Sequence, residues 1–144
     1  MSQVDISETS SSKFIDIVAQ GTPYKIHYNE LGTGDQTVIM LHGSGPGATS
    51  WANFNRNIEP FVNDGYRIIL LDCPGWGKSD PVVCTGSRSD LNATCVKGLM
   101  DGLDIETAHL IGNYLGGHSV VAFALRWPER VDILIITGAG SVGQ

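Results

Sequence analysis

The sequence predicts an α/β fold built on a doubly wound, mostly parallel sheet. Short apolar runs alternate with longer segments of helical periodicity, which is typical of β-α-β units. The runs are almost continuously apolar, and this indicates strands that are covered on both faces. Short connections with right-handed crossovers then place helices on both sides of the sheet.

Two β-rich runs, at 14–18 and 24–28, come before the alternation of strands and helices starts. Gln-Gly-Thr-Pro at 20–23 separates them and predicts a hairpin. A polar, serine-rich stretch at 1–12 precedes them, and we predict it to be a disordered leader. The predicted folded core therefore covers 13–144.

The rest of the chain alternates between strand and helix, which gives about six strands and three helices in all. Strands are predicted at 37–41, 67–71, 108–111 and 131–137, and helices over 51–62, 90–103 and 115–127. Ser50 and Ser87 are placed to cap the first two helices.

Composition excludes several classes of protein. The 144 residues are 42% hydrophobic, enough for one domain with a core. The net charge of −6, without a basic run, argues against nucleic acid or an anionic membrane as a partner. No apolar stretch is long enough for a signal peptide or a membrane span, so we expect a cytoplasmic protein. The three cysteines lack metal-site spacing, and we expect no metal or organic cofactor.

Three glycine-rich loops follow predicted strands, at 42–47, 72–79 and 112–117. Because the carboxyl ends of parallel strands meet at one edge of a sheet, these loops are predicted to converge there. Ligands of such sheets bind at that edge, so the convergence predicts the active site.

The third loop has the strand–turn–helix context of the nucleophile elbow G-x-S-x-G. Gly112 and Gly116 stand where the turn leaves no space for a Cβ, but the central residue is Tyr114 instead of Ser. An elbow position has a strained backbone that costs roughly 1–3 kcal/mol. The helix that begins at Leu115 directs N–H groups at the same point, and the loop at 42–45 offers a second N–H donor for an oxyanion.

Two nucleotide-binding patterns can be weighed against this interpretation. Residues 138–143 spell G-x-G-x-x-G after a strand, but neither the following helix nor the later acidic residue is present in the sequence, which favours a glycine-rich loop. Gly-Lys-Ser at 77–79 is not a P-loop, because Asp72 stands where the first glycine is required. We interpret Cys73, Trp51 and Trp76 as packing residues and His118 as a packed or hydrogen-bonded histidine.

Four stretches together resemble a known family. They are His-Gly-Ser-Gly-Pro-Gly-Ala at 42–48, Trp-Ala-Asn-Phe at 51–54, Asp-Cys-Pro-Gly-Trp-Gly-Lys-Ser-Asp at 72–80 and Gly-Asn-Tyr-Leu-Gly-Gly at 112–117. They resemble the α/β-hydrolase superfamily and, within it, the meta-cleavage product hydrolases of bacterial aromatic degradation. The resemblance extends over nearly the whole chain and corresponds to the N-terminal half of that fold, without its lid and C-terminal strands.

The resemblance implies hydrolysis of a C–C bond in a dienoate ring-fission product by a Ser-His-Asp triad. Tyr114 falls on the position of the nucleophilic serine. The backbone N–H groups of Ser44 and Leu115 fall on the oxyanion hole. The residues that fall on the substrate-binding positions are Asn53, Asn113, Gly43 and Gly45. His42 matches a histidine that supports its loop and is not the triad base.

The same resemblance leads us to expect that this chain is inactive. Tyr114 replaces the serine, and the acid and base of the triad lie beyond the stretch that the sequence covers. The alternative function is a non-catalytic remnant that binds a partner or a substrate-like acid. We also expect a homo-oligomer or an aggregation-prone chain, because the last strand would expose an unpaired apolar edge.

Overall fold

The computed structural model describes residues 6–83 and 86–138. Its six strands form one sheet in the order β1-β2-β4-β3-β5-β6. The strands are β1 (Ser12–Ala19), β2 (Thr22–Leu31), β3 (Thr37–Leu41), β4 (Arg67–Leu71), β5 (Ala108–Asn113) and β6 (Val131–Thr137). The helices are α1 (Glu8–Ser11), α2 (Ser50–Phe54), α3 (Ile58–Asn63), α4 (Arg88–Gly102) and α5 (Leu115–Arg126), with 3₁₀ turns at Asn55–Asn57 and Pro128–Arg130.

The sheet is antiparallel at one end and parallel through the rest. β1 pairs with β2 as the predicted hairpin, and β2 pairs antiparallel with β4. β3 pairs parallel with both β4 and β5, and β5 pairs parallel with β6. The prediction of a mostly parallel α/β sheet is therefore confirmed.

Helices cover both faces of the sheet, and each face has its own apolar core. Alternate residues of β3 show the division, since Ile39 packs on the face of α4 and α5 while Met40 packs on the face of α2 and α3. The first core also contains Leu99 and Phe123 from the two long helices, and Ile58 from α3 lies in the second. A strand buried on both faces has no polar alternation, which explains the continuous apolar runs.

The single helix predicted over 51–62 is wrong, because the segment is broken into α2, a 3₁₀ turn and α3. Pro60 has no N–H to donate to the carbonyl four residues earlier, and its ring crowds that carbonyl. The predicted cap is also wrong: the Thr49 side chain accepts from Ala52 N at 3.0 Å. Ser50 is buried, and its hydroxyl donates instead to the carbonyls of Met40 and Leu71.

The other predicted cap is correct, since Ser87 accepts from Asp90 N at 3.2 Å at the start of α4.

The N-terminal segment differs from the disordered leader predicted over 1–12. Glu8–Ser11 form a short helix, and Ser12 already belongs to β1. The Asn29 amide donates to Glu8 O at 2.9 Å and to Ser11 Oγ at 3.0 Å, which ties this turn to β2. Residues 1–5 lie outside the described residues.

β6 is an edge strand with large exposed side chains on both of its faces. Ile133 and Ile136 are 54% and 40% exposed.

Within residues 6–83 and 86–138, no helix is both long and apolar enough to cross a bilayer.

Candidate active site

The centre of the candidate site is Tyr114, which joins β5 to α5. Its backbone has φ 53° and ψ −113°, a conformation that L-residues rarely adopt. Two hydrogen bonds fix it, from Tyr114 N to Thr137 O at 3.0 Å and from His118 N to Tyr114 O at 3.2 Å. The strained turn expected of a nucleophile elbow is therefore present, with tyrosine at its apex.

The glycines beside Tyr114 are required by close backbone contacts. A Cβ at Gly112 would overlap the carbonyl oxygen of Gly116, and a Cβ at Gly116 would overlap the carbonyl oxygen of Leu41. A Cβ at Gly43 would approach the Tyr114 Cβ to 3.2 Å. The first glycine-rich loop therefore packs directly against the elbow, which confirms that the loops after β3 and β5 converge.

The phenol ring of Tyr114 leads away from the backbone of the elbow. The side chain is 59% exposed, and its ring lies against the backbone of Gly138 at the end of β6. A Cβ at Gly138 would come within 3.1 Å of Tyr114 Cζ. The hydroxyl stands at the far end of that ring, several Å beyond the place where a serine hydroxyl would lie.

A series of hydrogen bonds links the two predicted asparagines to each other, to the loop after β3 and to the end of β6. Asn53 Oδ1 accepts from Gly43 N at 2.9 Å and from Asn113 Nδ2 at 3.1 Å. Asn113 Oδ1 in turn accepts from Thr137 Oγ1 at 3.0 Å. These hydrogen bonds therefore connect the first glycine-rich loop to the ends of β5 and β6. Thr137 was not predicted as a site residue, although its position at a strand end on this edge could have indicated it.

These side chains border an open cavity of about 380 Å³ on the α2–α3 side of the sheet. Asn53, Asn113 and Thr137 form its polar part. Its apolar part comes from Met40, Phe54, Phe61 and Ile111, and Asn57 completes the lining. An apolar cleft with a few convergent polar groups suits a small, partly polar ligand.

The predicted oxyanion donors lie at this same edge. Leu115 is the first residue of α5, where backbone N–H groups have no partner within the helix. Ser44 is exposed in the loop after β3. Gly45 lies further along that loop, in a turn closed by the bond from Ala48 N to Gly45 O at 3.0 Å.

His42 supports its loop, as the resemblance implies. It is fully buried, with Nδ1 2.6 Å from Gly43 O, and Nε2 accepts from Cys73 N at 3.0 Å. Burial lowers the pKa of His42, so the imidazole stays neutral with its proton on Nδ1. Both ring nitrogens are thus engaged in holding the first two glycine-rich loops together.

The remaining candidates are packing residues where the structure describes them. Trp51 and Trp76 pack against the two cores, and Cys73 and Cys95 are buried free thiols. Burial raises the pKa of both thiols, that of Cys95 to about 12. No cluster of potential metal ligands occurs among the described residues. The G-x-G-x-x-G pattern at 138–143 lies almost wholly outside the described residues.

Sequence reasoning missed a buried polar cluster on the hairpin side of the sheet. His27 Nδ1 lies 2.8 Å from Asp72 Oδ2, and His27 Nε2 lies 2.6 Å from Ser12 Oγ. Strand patterning did not indicate the cluster, because it depends on the pairing register of β1, β2 and β4.

Comparison with known proteins defines the class to which this fold and site belong. The family model described as alpha/beta hydrolase fold matches residues 36–142, and the chain belongs to that family. The match includes the loop after β3, the elbow and β6.

Particular relatives share a more specific name. The chain is 58% identical over all 144 residues to a 2-hydroxy-6-oxononadienedioate/2-hydroxy-6-oxononatrienedioate hydrolase of Escherichia coli K12. It is 58% identical over 137 residues, or 95% of the chain, to the protein of the same name from Burkholderia vietnamiensis. It covers 50% and 48% of these two proteins, so the chain spans about half the length of the curated relatives it matches.

Solved structures agree with this assignment. A meta-cleavage product hydrolase from Pseudomonas fluorescens IP01 superimposes with a TM-score of 0.74 at 38% identity, covering 87% of this chain and 44% of that one. A 2-hydroxy-6-oxo-6-phenylhexa-2,4-dienoate hydrolase from Rhodococcus matches with a TM-score of 0.74 at 28% identity, covering 89% of this chain and 47% of that one.

Proposed function

We propose that this chain derives from a hydrolase that cleaves a C–C bond in ring-fission products such as 2-hydroxy-6-oxononadienedioate. The observation that carries the proposal is the 58% identity over the whole chain to hydrolases named for that substrate. The cavity beside the elbow supports it, because its asparagines suit an oxygen-rich dienoate and its apolar wall suits the carbon chain.

In this proposal each site residue has a defined role. The N–H groups of Ser44 and Leu115 stabilise the oxyanion that forms when the distal carbonyl of the substrate is attacked. Asn53 and Asn113 hold the dienoate end, and Gly43 and Gly45 allow the loop backbone to approach it closely. The hydrogen bonds that join Asn53 to Gly43 and Asn113 support a shared pocket, because they orient both amides.

The proposal includes inactivity of the chain as its sequence stands. The Tyr114 hydroxyl lies at the end of a rigid ring, whereas the oxyanion donors are backbone groups close to the elbow. A carbonyl held by those donors is therefore out of reach of the phenol oxygen. This feature favours the second candidate function, a non-catalytic protein that binds a dienoate-like acid or a partner.

We further propose self-association through the exposed edge of β6 and a cytoplasmic location. The apolar side chains on β6 support the first, because an unpaired apolar edge favours pairing with another chain. The buried free thiols of Cys73 and Cys95 support the second, since they suit a reducing compartment.

The test is a spectrophotometric assay on a coloured ring-fission product. It compares the chain, its Tyr114→Ser variant and a Tyr114→Ala control, which removes the ring without adding a hydroxyl. Each is assayed alone and mixed with the remaining half of the Escherichia coli relative, produced separately. We expect only Tyr114→Ser with the added half to bleach the substrate. Turnover by the unmodified chain would overturn the proposed inactivity, and equal turnover by Tyr114→Ala would overturn the assignment of position 114.

A further inference from the structure

Three side chains, two on strands and one directly after a strand, form a continuous hydrogen-bonded line on the hairpin side of the sheet. Ser12 opens β1, His27 lies in the middle of β2, and Asp72 directly follows β4. Ser12 Oγ is 2.6 Å from His27 Nε2, and His27 Nδ1 is 2.8 Å from Asp72 Oδ2. In the sheet, β2, β4 and β3 separate β1 from β5, which leads into the elbow, so Ser12 lies apart from Tyr114, while Asp72 opens the second glycine-rich loop.

The order of the atoms determines where the protons lie. A carboxylate only accepts, so the His27 Nδ1–H donates to Asp72. In a neutral imidazole, Nε2 then carries the lone pair and accepts the hydroxyl proton of Ser12. This Asp–His–Ser order and its distances are those that activate a serine in hydrolases, where the arrangement is recognised by geometry and not by sequence position.

The surrounding residues hold His27 and Asp72 in place and leave Ser12 accessible. His27 and Asp72 are buried, and Asp72 Oδ1 also accepts from Ser50 N at 3.2 Å. Ser12 is only half-buried and lies on the edge strand. The Phe14 ring packs edge-on against His27 at 5.1 Å and is itself half exposed, so it offers an apolar surface beside the hydroxyl.

We propose that Ser12 is an activated nucleophile that accepts an acyl or phosphonyl group from activated esters and fluorophosphonates. With a fluorophosphonate, the Ser12 Oγ–P bond forms as the P–F bond breaks. Fluoride leaves, and the hydroxyl proton passes to His27 Nε2, where the imidazolium is stabilised by Asp72. A good leaving group is needed because the step then depends less on oxyanion donors. The proposal is independent of the function proposed for the elbow.

The experiment is fluorophosphonate labelling of the intact chain, followed by peptide mass mapping. Ser10 is an internal reference, because it is an exposed serine in the same segment and its hydroxyl donates to the Ser7 carbonyl instead of to a histidine ring. General-base assistance is typically worth 10²–10⁴-fold, so we expect Ser12 to label about a hundredfold faster than Ser10. That preference should disappear in concentrated urea, where the line of hydrogen bonds is lost.

Variants test the role of each member. Ser12→Ala should remove the adduct, whereas the matched Ser10→Ala variant should keep it. Asp72→Asn keeps the size of the side chain but removes its charge, and should slow labelling of Ser12 about a hundredfold. Equal labelling of Ser12 and Ser10 in the folded chain would overturn the proposal and leave the cluster as a structural link. This comparison needs no variant, so it decides the question even if Asp72→Asn fails to fold.

Discussion

At the scale of single residues, Tyr114 combines a strained backbone with an exposed side chain. Its φ of 53° with ψ of −113° is unfavourable for any residue that has a Cβ, and a glycine avoids that cost. The ring contributes little burial to offset the strain, since more than half of the side chain is exposed. The strained backbone is the one that the proposed nucleophile elbow requires, and it is present here with tyrosine at its apex.

This strain predicts an unusual order of stability. We expect Tyr114→Gly to exceed Tyr114→Ala in free energy of unfolding by about 1 kcal/mol, measured by urea denaturation. At an ordinary position the order is the reverse, because glycine gains more entropy on unfolding. If the alanine variant were the more stable of the two, the backbone at this position would not be strained.

Gly112 makes a second residue-scale test of the elbow. A Cβ there would overlap the carbonyl group of Gly116 and the amide nitrogen of Gly117, which are backbone atoms and cannot move aside as a flexible side chain could. We expect Gly112→Ala to lower the free energy of unfolding by about 3 kcal/mol, measured by thermal or urea denaturation. The matched control is Gly45→Ala, where a Cβ would meet nothing within 4 Å and little change is expected. Equal effects of the two substitutions would contradict the tight elbow.

At the scale of elements, one carboxylate links three strands. Glu30 on β2 accepts from Lys13 Nζ of β1 at 2.9 Å and from Arg67 Nε of β4 at 2.5 Å. Burial alone would raise the pKa of Glu30, but the hydrogen bonds from Lys13 and Arg67 outweigh it and hold the pKa below its usual range. The link therefore stabilises the fold above the unfolded pKa of about 4.3 and is lost as pH falls through the folded value.

Because the pKa of Glu30 is lowered in the folded state, the effect of Glu30→Gln on stability should depend on pH. The variant should lose about 1–2 kcal/mol of unfolding free energy at neutral pH, because a charge-assisted link is replaced by a neutral one. The difference from the unmodified chain should shrink as urea titrations are moved from pH 7 towards pH 3. Glu106→Gln, at an exposed carboxylate in the turn before β5, is the control. A gap that stays constant with pH would show that the carboxylate charge is not responsible.

The elements that were predictable from sequence are those whose local pattern agrees with their environment. β3, β4 and β6 begin and end at the predicted residues, because each is an apolar run buried or paired along its length. Apolar spacing predicted one helix over 51–62 and could not reveal its break, because Pro60 interrupts the hydrogen bonds without disturbing the spacing. The cap at Thr49 was missed because the adjacent Ser50 is drawn into the core by carbonyls of β3 and β4.

At the scale of the whole molecule, the sequence predicted the edge of the sheet where the candidate site lies, but it did not predict the polar cluster on the hairpin side. Glycine spacing and the strand-end rule placed Tyr114 at one edge of the sheet, and the family resemblance added Asn53 and Asn113. The line from Ser12 through His27 to Asp72 spans most of the chain before β5. It depends on the antiparallel register of β1, β2 and β4, which no local pattern of residues specifies.

The exposed edge of β6 leads to the last prediction, which concerns association of whole chains. Ile133 and Ile135 project from β6, which is the last strand in the sheet order, so that its outer backbone groups pair with no other strand among residues 6–83 and 86–138. Lysine on an edge opposes pairing because it brings like charges together and resists burial. We therefore expect Ile133→Lys to shift sedimentation velocity profiles towards the monomer, whereas Val83→Lys, at a 71% exposed loop position, leaves them unchanged. Association that persists unaltered in Ile133→Lys would place the contact elsewhere on the molecule.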